Sequence, residues 1–193
     1  MSGLSDYLKK RLENSTLSII VFSAIIIISV IAGGILGVPD ALKEIFSDYT
    51  VNLYCRMLSP ESSAIKFSAL RTFNAIIIFI PAFLLSFTSV TLYFNSIIVF
   101  YRSYALGVTF KIFISTVGVS GFPIFLFTVF LQSLFVTAAI VLFTVLSLYD
   151  RNNKTCKTQE NILKNLILSL ILAIIGIIAE FILITCIFRS AIF

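Results

Sequence analysis

Residues 16–37 read TLSIIVFSAIIIISVIAGGILG, and no charged side chain interrupts them. At about 1.5 Å of rise per residue, a helix of this run reaches roughly 30 Å, the thickness of a bilayer's hydrocarbon core. Lys9-Lys10-Arg11 precede it. A basic start and an apolar core also describe a signal peptide, but the run exceeds the ordinary 7–15-residue apolar region and further apolar segments follow. It reads as a retained anchor. Near its end, Gly33-x-x-x-Gly37 has the spacing that lets a second membrane helix approach closely.

The rest of the chain has the same character. Of 193 residues, 59% are hydrophobic and 12% charged, with a mean hydropathy of +1.09. Soluble domains carry about 45–50% apolar and about 25% charged residues, so this chain lacks the polar surface of a water-facing globule. The length suits a single domain, 1–193. With no Trp, an interfacial belt has to come from the 20 Phe and 7 Tyr. The net charge of +5 is scattered, which argues against a nucleic-acid surface and for contact with membrane lipids.

Val38-Pro39-Asp40 stops the first span. From 41 to 58, Ile45, Phe46, Tyr49 and Leu53 recur at helical spacing, while Lys43, Glu44, Asp48 and Asn52 fall largely on the other side. This predicts an amphipathic helix lying on the membrane or covering the bundle. From about Thr72 to Val117 the chain is mostly apolar, too long for one crossing, so it must fold back at the polar cluster Ser86 to Thr91. Gly118 and Gly121 mark another turn, with Pro123 suited to the first turn of the next helix.

The expected architecture is all-α: a polytopic membrane helix bundle with spans near 16–37, 72–88, 92–117, 122–148 and 165–188, plus the amphipathic helix. A polar loop is expected over 150–164. With five crossings, seven Lys and Arg (residues 9, 10, 11, 151, 154, 157 and 164) share a side, against five (43, 56, 66, 71 and 189) opposite. That bias predicts a cell-membrane protein with its N-terminus in the cytoplasm.

Catalytic and metal chemistry find little to work with. Histidine is absent, which removes His-based triads, His–metal sites and His proton relays. Cys55, Cys156 and Cys186 are far apart and form no C-x-x-C. No GxSxG or P-loop is present, and every Asp falls outside the expected spans. These features argue against an enzyme and imply no cofactor or metal. The polar residues that stand out inside spans are Arg102 and Lys111 in the third, Gln132 in the fourth and Glu180 in the fifth. An intramembrane charge tends to face the bundle and pair. Arg102 is the expected partner of Glu180, with Lys111 as the alternative.

Three stretches carry a family resemblance. Gly107 to Phe122 (GVTFKIFISTVGVSGF) has a glycine-spaced third span and a Gly-x-x-Gly-Phe turn. Leu131-Gln132-Ser133 supplies a polar step in the fourth span, and Ala179-Glu180-Phe181 an acidic step in the last. In these stretches and in the order of its segments, the chain resembles the stage II sporulation protein M family of endospore-forming bacteria over nearly its whole length. It differs in carrying Arg102-Ser103 where the family often has a small-residue step, Ser120 where it has His, and Leu131 and Val136 near its prolines. The resemblance implies a non-enzymatic membrane scaffold. It would work with the stage II D and P peptidoglycan-degrading proteins at the mother-cell or septal membrane during forespore engulfment, and it leaves room for a homo-oligomer. The rival expectation is a small transporter subunit or permease, suggested by the ionisable residues within spans and by Pro81.

Overall fold

The computed structural model describes residues 15–38, 44, 64–88, 90–120, 122, 125–152 and 158–183. Five long helices account for most of these: α1 (Thr16–Leu36), α2 (Ala64–Leu85), α3 (Thr91–Val117), α4 (Leu131–Asn152) and α5 (Thr158–Leu183). A short 3₁₀ turn (Gly118–Ser120) follows α3, and a π-helical turn (Leu126–Phe130) runs directly into α4. The fold is an all-α helix bundle, as its composition requires.

Four of the helices, Thr16–Leu36, Thr91–Thr116, Leu131–Asn152 and Gln159–Leu183, are long and apolar enough to cross a membrane. In α2 the corresponding apolar stretch among the described residues is shorter, Ile76–Leu85. Large apolar side chains cover the outside of the bundle, including Leu17, Ile28 and Ile35 on α1, Ile97 on α3, and Ile171 and Ile182 on α5. Exposed aliphatic surface of this extent suits lipid and not water. The chain is a multi-pass membrane protein.

Side-chain contacts fix the helix directions. Asn95 of α3 bonds Thr144 of α4, and Phe113 of α3 packs on Phe125 just ahead of α4, so these two helices run antiparallel in one continuous register. Asp150 meets Asn165, and Phe135 meets Gly176, which makes α4 and α5 an antiparallel hairpin. By contrast, Gly33 lies against Tyr104 and Gly37 against Lys111, so α1 and α3 run parallel. A parallel pair needs a return path between its members, and α2 supplies one by entering α3 through a tight turn.

That turn is the polar cluster expected from the sequence. Ser86 Oγ donates to the Phe83 carbonyl at 2.6 Å and Thr88 Oγ1 to that of Leu85 at 2.8 Å, capping the last carbonyls of α2. Thr91 Oγ1 donates to the carbonyls of Leu85 and Thr88, and Arg151 at the end of α4 donates to the Thr88 carbonyl. The turn after α3 uses Gly118 at φ 73° and ψ −158°, a region essentially reserved for glycine.

Boundaries differ from expectation in two places. The supposed loop over 150–164 is largely helical: α4 continues to Asn152 and α5 begins at Thr158. The Glu160–Lys164 pair, one turn apart at 2.8 Å, lies on an exposed helix face, while Asp150 and Ile162 of the same segment, and Asn165 just after it, are buried. Helix α2 starts at Ala64, earlier than the span near 72–88. The expected amphipathic helix, with Ile45, Phe46, Tyr49 and Leu53, lies outside the described residues, as do Gly121 and the three cysteines.

The core has two parts. Phe22, Phe79, Val99, Val136, Ile140, Phe143 and Ile177 fill the centre, with Phe79 and Phe143 edge to face at 6.5 Å. Toward the far end of α3, Leu106, Phe113 and Phe125 form a second cluster joined by Phe110 and Phe130.

Candidate functional site

Helix α4 carries an unusual inner face. Gln132, Ser133, Thr137, Thr144, Ser147 and Asp150 are all buried there, on steps of one, four, seven, three and three residues. These steps keep to one side of a helix. Polar groups in a membrane interior are costly without partners, so where their hydrogen bonds go decides what the face is for.

At one end the answer is partly visible. Asn95 Nδ2 donates to Thr144 Oγ1 at 2.8 Å, and Thr144 in turn donates to the Ile140 carbonyl at 2.7 Å. Asn165 Nδ2 donates to Asp150 Oδ2 at 2.8 Å, tying α5 to the last turn of α4. Ser147 and Ser169 lie between these two bonds, both almost fully buried. Several serines and threonines in these helices send the hydroxyl back to a carbonyl three or four residues earlier, as do Ser29, Ser96, Thr109, Ser115 and Thr116. Ser147 Oγ and Ser169 Oγ have no hydrogen-bond partner among the described residues, and neither does Asn95 Oδ1.

At the other end of α4, an open groove of about 680 Å³ runs along α2 and α3. Ile77, Pro81 and Ile97 are among its apolar walls, and Arg102, Gln132 and Ser133 supply its polar lining. Pro81 has no N–H to offer the Ile77 carbonyl one turn back, a gap in the α2 ladder within the groove wall. Gln132 is the second residue after the π-helical turn Leu126–Phe130, and such turns are often found at functional sites.

The four polar residues singled out from the sequence separate into two groups. Glu180 is buried at 3% exposure. It lies one turn beyond Gly176, whose position is fixed by the Phe135 ring, with Cγ 2.8 Å from where a Cβ would sit. Glu180 therefore comes level with Leu131 and Gln132, one turn before Phe135. Arg102 lines the same groove as Gln132. Arg102, Gln132 and Glu180 thus gather in one part of the bundle, and each of them is engaged in an interaction. Lys111 is placed elsewhere: its Nζ donates to the Ile35 carbonyl at 2.8 Å. Together with the Tyr104 hydroxyl, which donates to the Gly37 carbonyl at 2.9 Å, it caps the end of α1.

Asp150 is the residue that sequence reasoning misplaced. Ending the fourth span at Leu148 left every Asp outside the membrane segments, yet Asp150 is fully buried within α4. A usable signal was the repeat of small polar residues at Ser133, Thr137, Thr144 and Ser147, which continues in phase to Asp150.

Comparison with protein-family models, with curated proteins and with solved structures finds no match to this chain.

Proposed function

We propose that this protein is a non-enzymatic membrane scaffold that holds partner proteins in the plane of the bilayer. The observation that carries the reading is the open groove along α2 and α3. A partner's transmembrane helix seated there would meet aliphatic walls and find Arg102, Gln132 and Ser133 for a polar anchor, the combination that drives helix association in lipid. Helix α1 packs along α3, one of the helices that wall the groove.

The resemblance to the stage II sporulation protein M family supplies the identity of the partners. On that reading they are the D and P peptidoglycan-degrading proteins, the membrane is that of the mother cell or septum, the N-terminus is cytoplasmic, and the process is forespore engulfment. Deleting the gene in a spore-forming host should then stall engulfment and spare vegetative growth. A photo-crosslinking residue at Ile97, in the groove, should capture one of the two hydrolases, while one at Leu17, on the outer face of α1, should capture neither. Normal engulfment with no crosslink at Ile97 would set the scaffold reading aside.

A second reading, a small transporter subunit, is favoured by one observation: the buried polar face of α4 with Asp150 at one end and Gln132 at the other. Ionisable groups inside a membrane domain often mark a pathway. Uptake or efflux that depends on Asp150 or Glu180 would distinguish it from a scaffold.

A further inference from the structure

Three oxygens in one region of the bundle lack hydrogen-bond partners among the described residues: Asn95 Oδ1 on α3, Ser147 Oγ on α4 and Ser169 Oγ on α5. All three residues are 1% exposed or less. The three residues lie at one level of the bundle. Asn95 is held to Thr144, one turn before Ser147. Ser169 is one turn beyond Asn165, and Asn165 is bonded to Asp150, one turn after Ser147. Antiparallel packing of α4 and α5 therefore brings Ser169 level with Ser147, between the Asn95–Thr144 and Asp150–Asn165 bonds. A buried polar atom left without a partner is expensive, and three on three different helices point to something they jointly hold.

We propose that Asn95, Ser147, Ser169 and Asp150 form a binding site for a monovalent alkali cation. The donor set is all oxygen, one amide carbonyl, two hydroxyls and one carboxylate, which is hard-cation chemistry. A single carboxylate suits a single positive charge. Asn95 has already committed its amide nitrogen to Thr144, so its oxygen is presented as an acceptor. Neither serine spends its hydroxyl on the helix backbone. Asp150 lies in the last turn of α4, where the helix dipole favours a cation, while Asn165 and Ser169 lie beyond the first turn of α5, where the opposing effect has faded. The neighbouring Arg151 directs its guanidinium to the Thr88 carbonyl on the α2–α3 turn. The site is independent of the scaffold reading and needs only the packing of α3 on α4 and of α4 on α5.

The test uses the full-length protein in lipid nanodiscs, titrated with sodium or potassium ions against choline at constant ionic strength, following calorimetric heat and the unfolding midpoint. The expected result is saturable binding of at least one alkali cation and a rise in the midpoint that choline does not reproduce. Asp150→Asn should weaken binding about tenfold or more, as loss of the charged ligand implies. Ser147→Ala and Ser169→Ala, which delete one oxygen each and leave the helices their length and shape, should each weaken it, and they decide the matter if Asp150→Asn does not fold. A response equal to that in choline would overturn the proposal and assign the three oxygens to bound water. Undiminished cation binding in the Ser147→Ala, Ser169→Ala double variant would overturn it as well.

Discussion

Gly33 and Gly107 interlock, each presenting its bare Cα to the backbone of the opposite helix. A Cβ added at Gly33 would collide with the Tyr104 carbonyl oxygen and lie 3.1 Å from the Val108 nitrogen. One added at Gly107 would collide with the Val30 carbonyl oxygen and lie 2.9 Å from the Gly34 nitrogen. Backbone cannot swing aside as a flexible side chain can, so a single methyl at either position must push α1 and α3 apart. Close approach of this kind substitutes in lipid for the hydrophobic drive that holds soluble helices together.

Gly33→Ala and Gly107→Ala should therefore each destabilise the protein by about 1–3 kcal/mol, the usual cost of overpacking. Gly34→Ala is the control: its nearest neighbour would be the Gly107 carbonyl oxygen at 4.0 Å, an ordinary contact. Thermal unfolding in detergent should separate Gly33→Ala from Gly34→Ala. Equal effects from the two would mean that the helices do not meet at Gly33.

The Asn95–Thr144 bond ties α3 to α4 in the centre of the bundle. Thr144→Val keeps the shape and removes the acceptor, leaving the Asn95 amide nitrogen with one partner fewer. The expected loss is about 0.6–1.7 kcal/mol, the range for hydrogen bonds between membrane helices. Adding Asn95→Leu to Thr144→Val should restore part of it, and a double-mutant cycle reads the coupling directly. Strict additivity would show that the two side chains do not depend on one another.

Glu180 and Arg102 are expected to depend on each other through the region they share with Gln132. Removing one charge of a buried pair strands the other, which costs more than removing both. Glu180→Gln should lower accumulation of folded protein, and Glu180→Gln with Arg102→Gln should recover part of the loss. Accumulation unaffected by either single change would exclude a pair between them. Lys111→Met should behave differently, loosening the end of α1 with no dependence on Glu180, because Lys111 is bonded to the Ile35 carbonyl.

What was legible in the sequence follows from what leaves a local trace. The apolar run 16–37, the turn at Ser86 to Thr91 and the boundaries of α3 are written in residue type and spacing, and they stand where expected. Asp150 was hidden because it opens the polar run Asp150-Arg151-Asn152-Asn153-Lys154, where a hydropathy reading ends the span. Only the antiparallel pairing with Asn165, fifteen residues on, shows that this carboxylate faces inward. Lys111 was hidden for another reason: its acceptor is a backbone carbonyl on α1, and since every residue carries one, no sequence pattern marks it. Gly33 was noted for its spacing to Gly37, but its counterpart Gly107 lies on another helix, and only the packing of α1 on α3 joins the two.

The central claim concerns the path of the chain: α1 and α3 run the same way, and we infer that α2 brings the chain back across the membrane between them. Cys55 precedes α2 and Cys156 lies between α4 and α5, so they report on it directly. With Cys186 replaced by Ser, intact cells are treated with a membrane-impermeant thiol reagent and the two cysteines are scored separately. If α2 crosses, one and four crossings precede Cys55 and Cys156, and only one of the pair is labelled; a cytoplasmic N-terminus makes it Cys55. If α2 does not cross, the two cysteines share a side, and labelling of both would contradict the account.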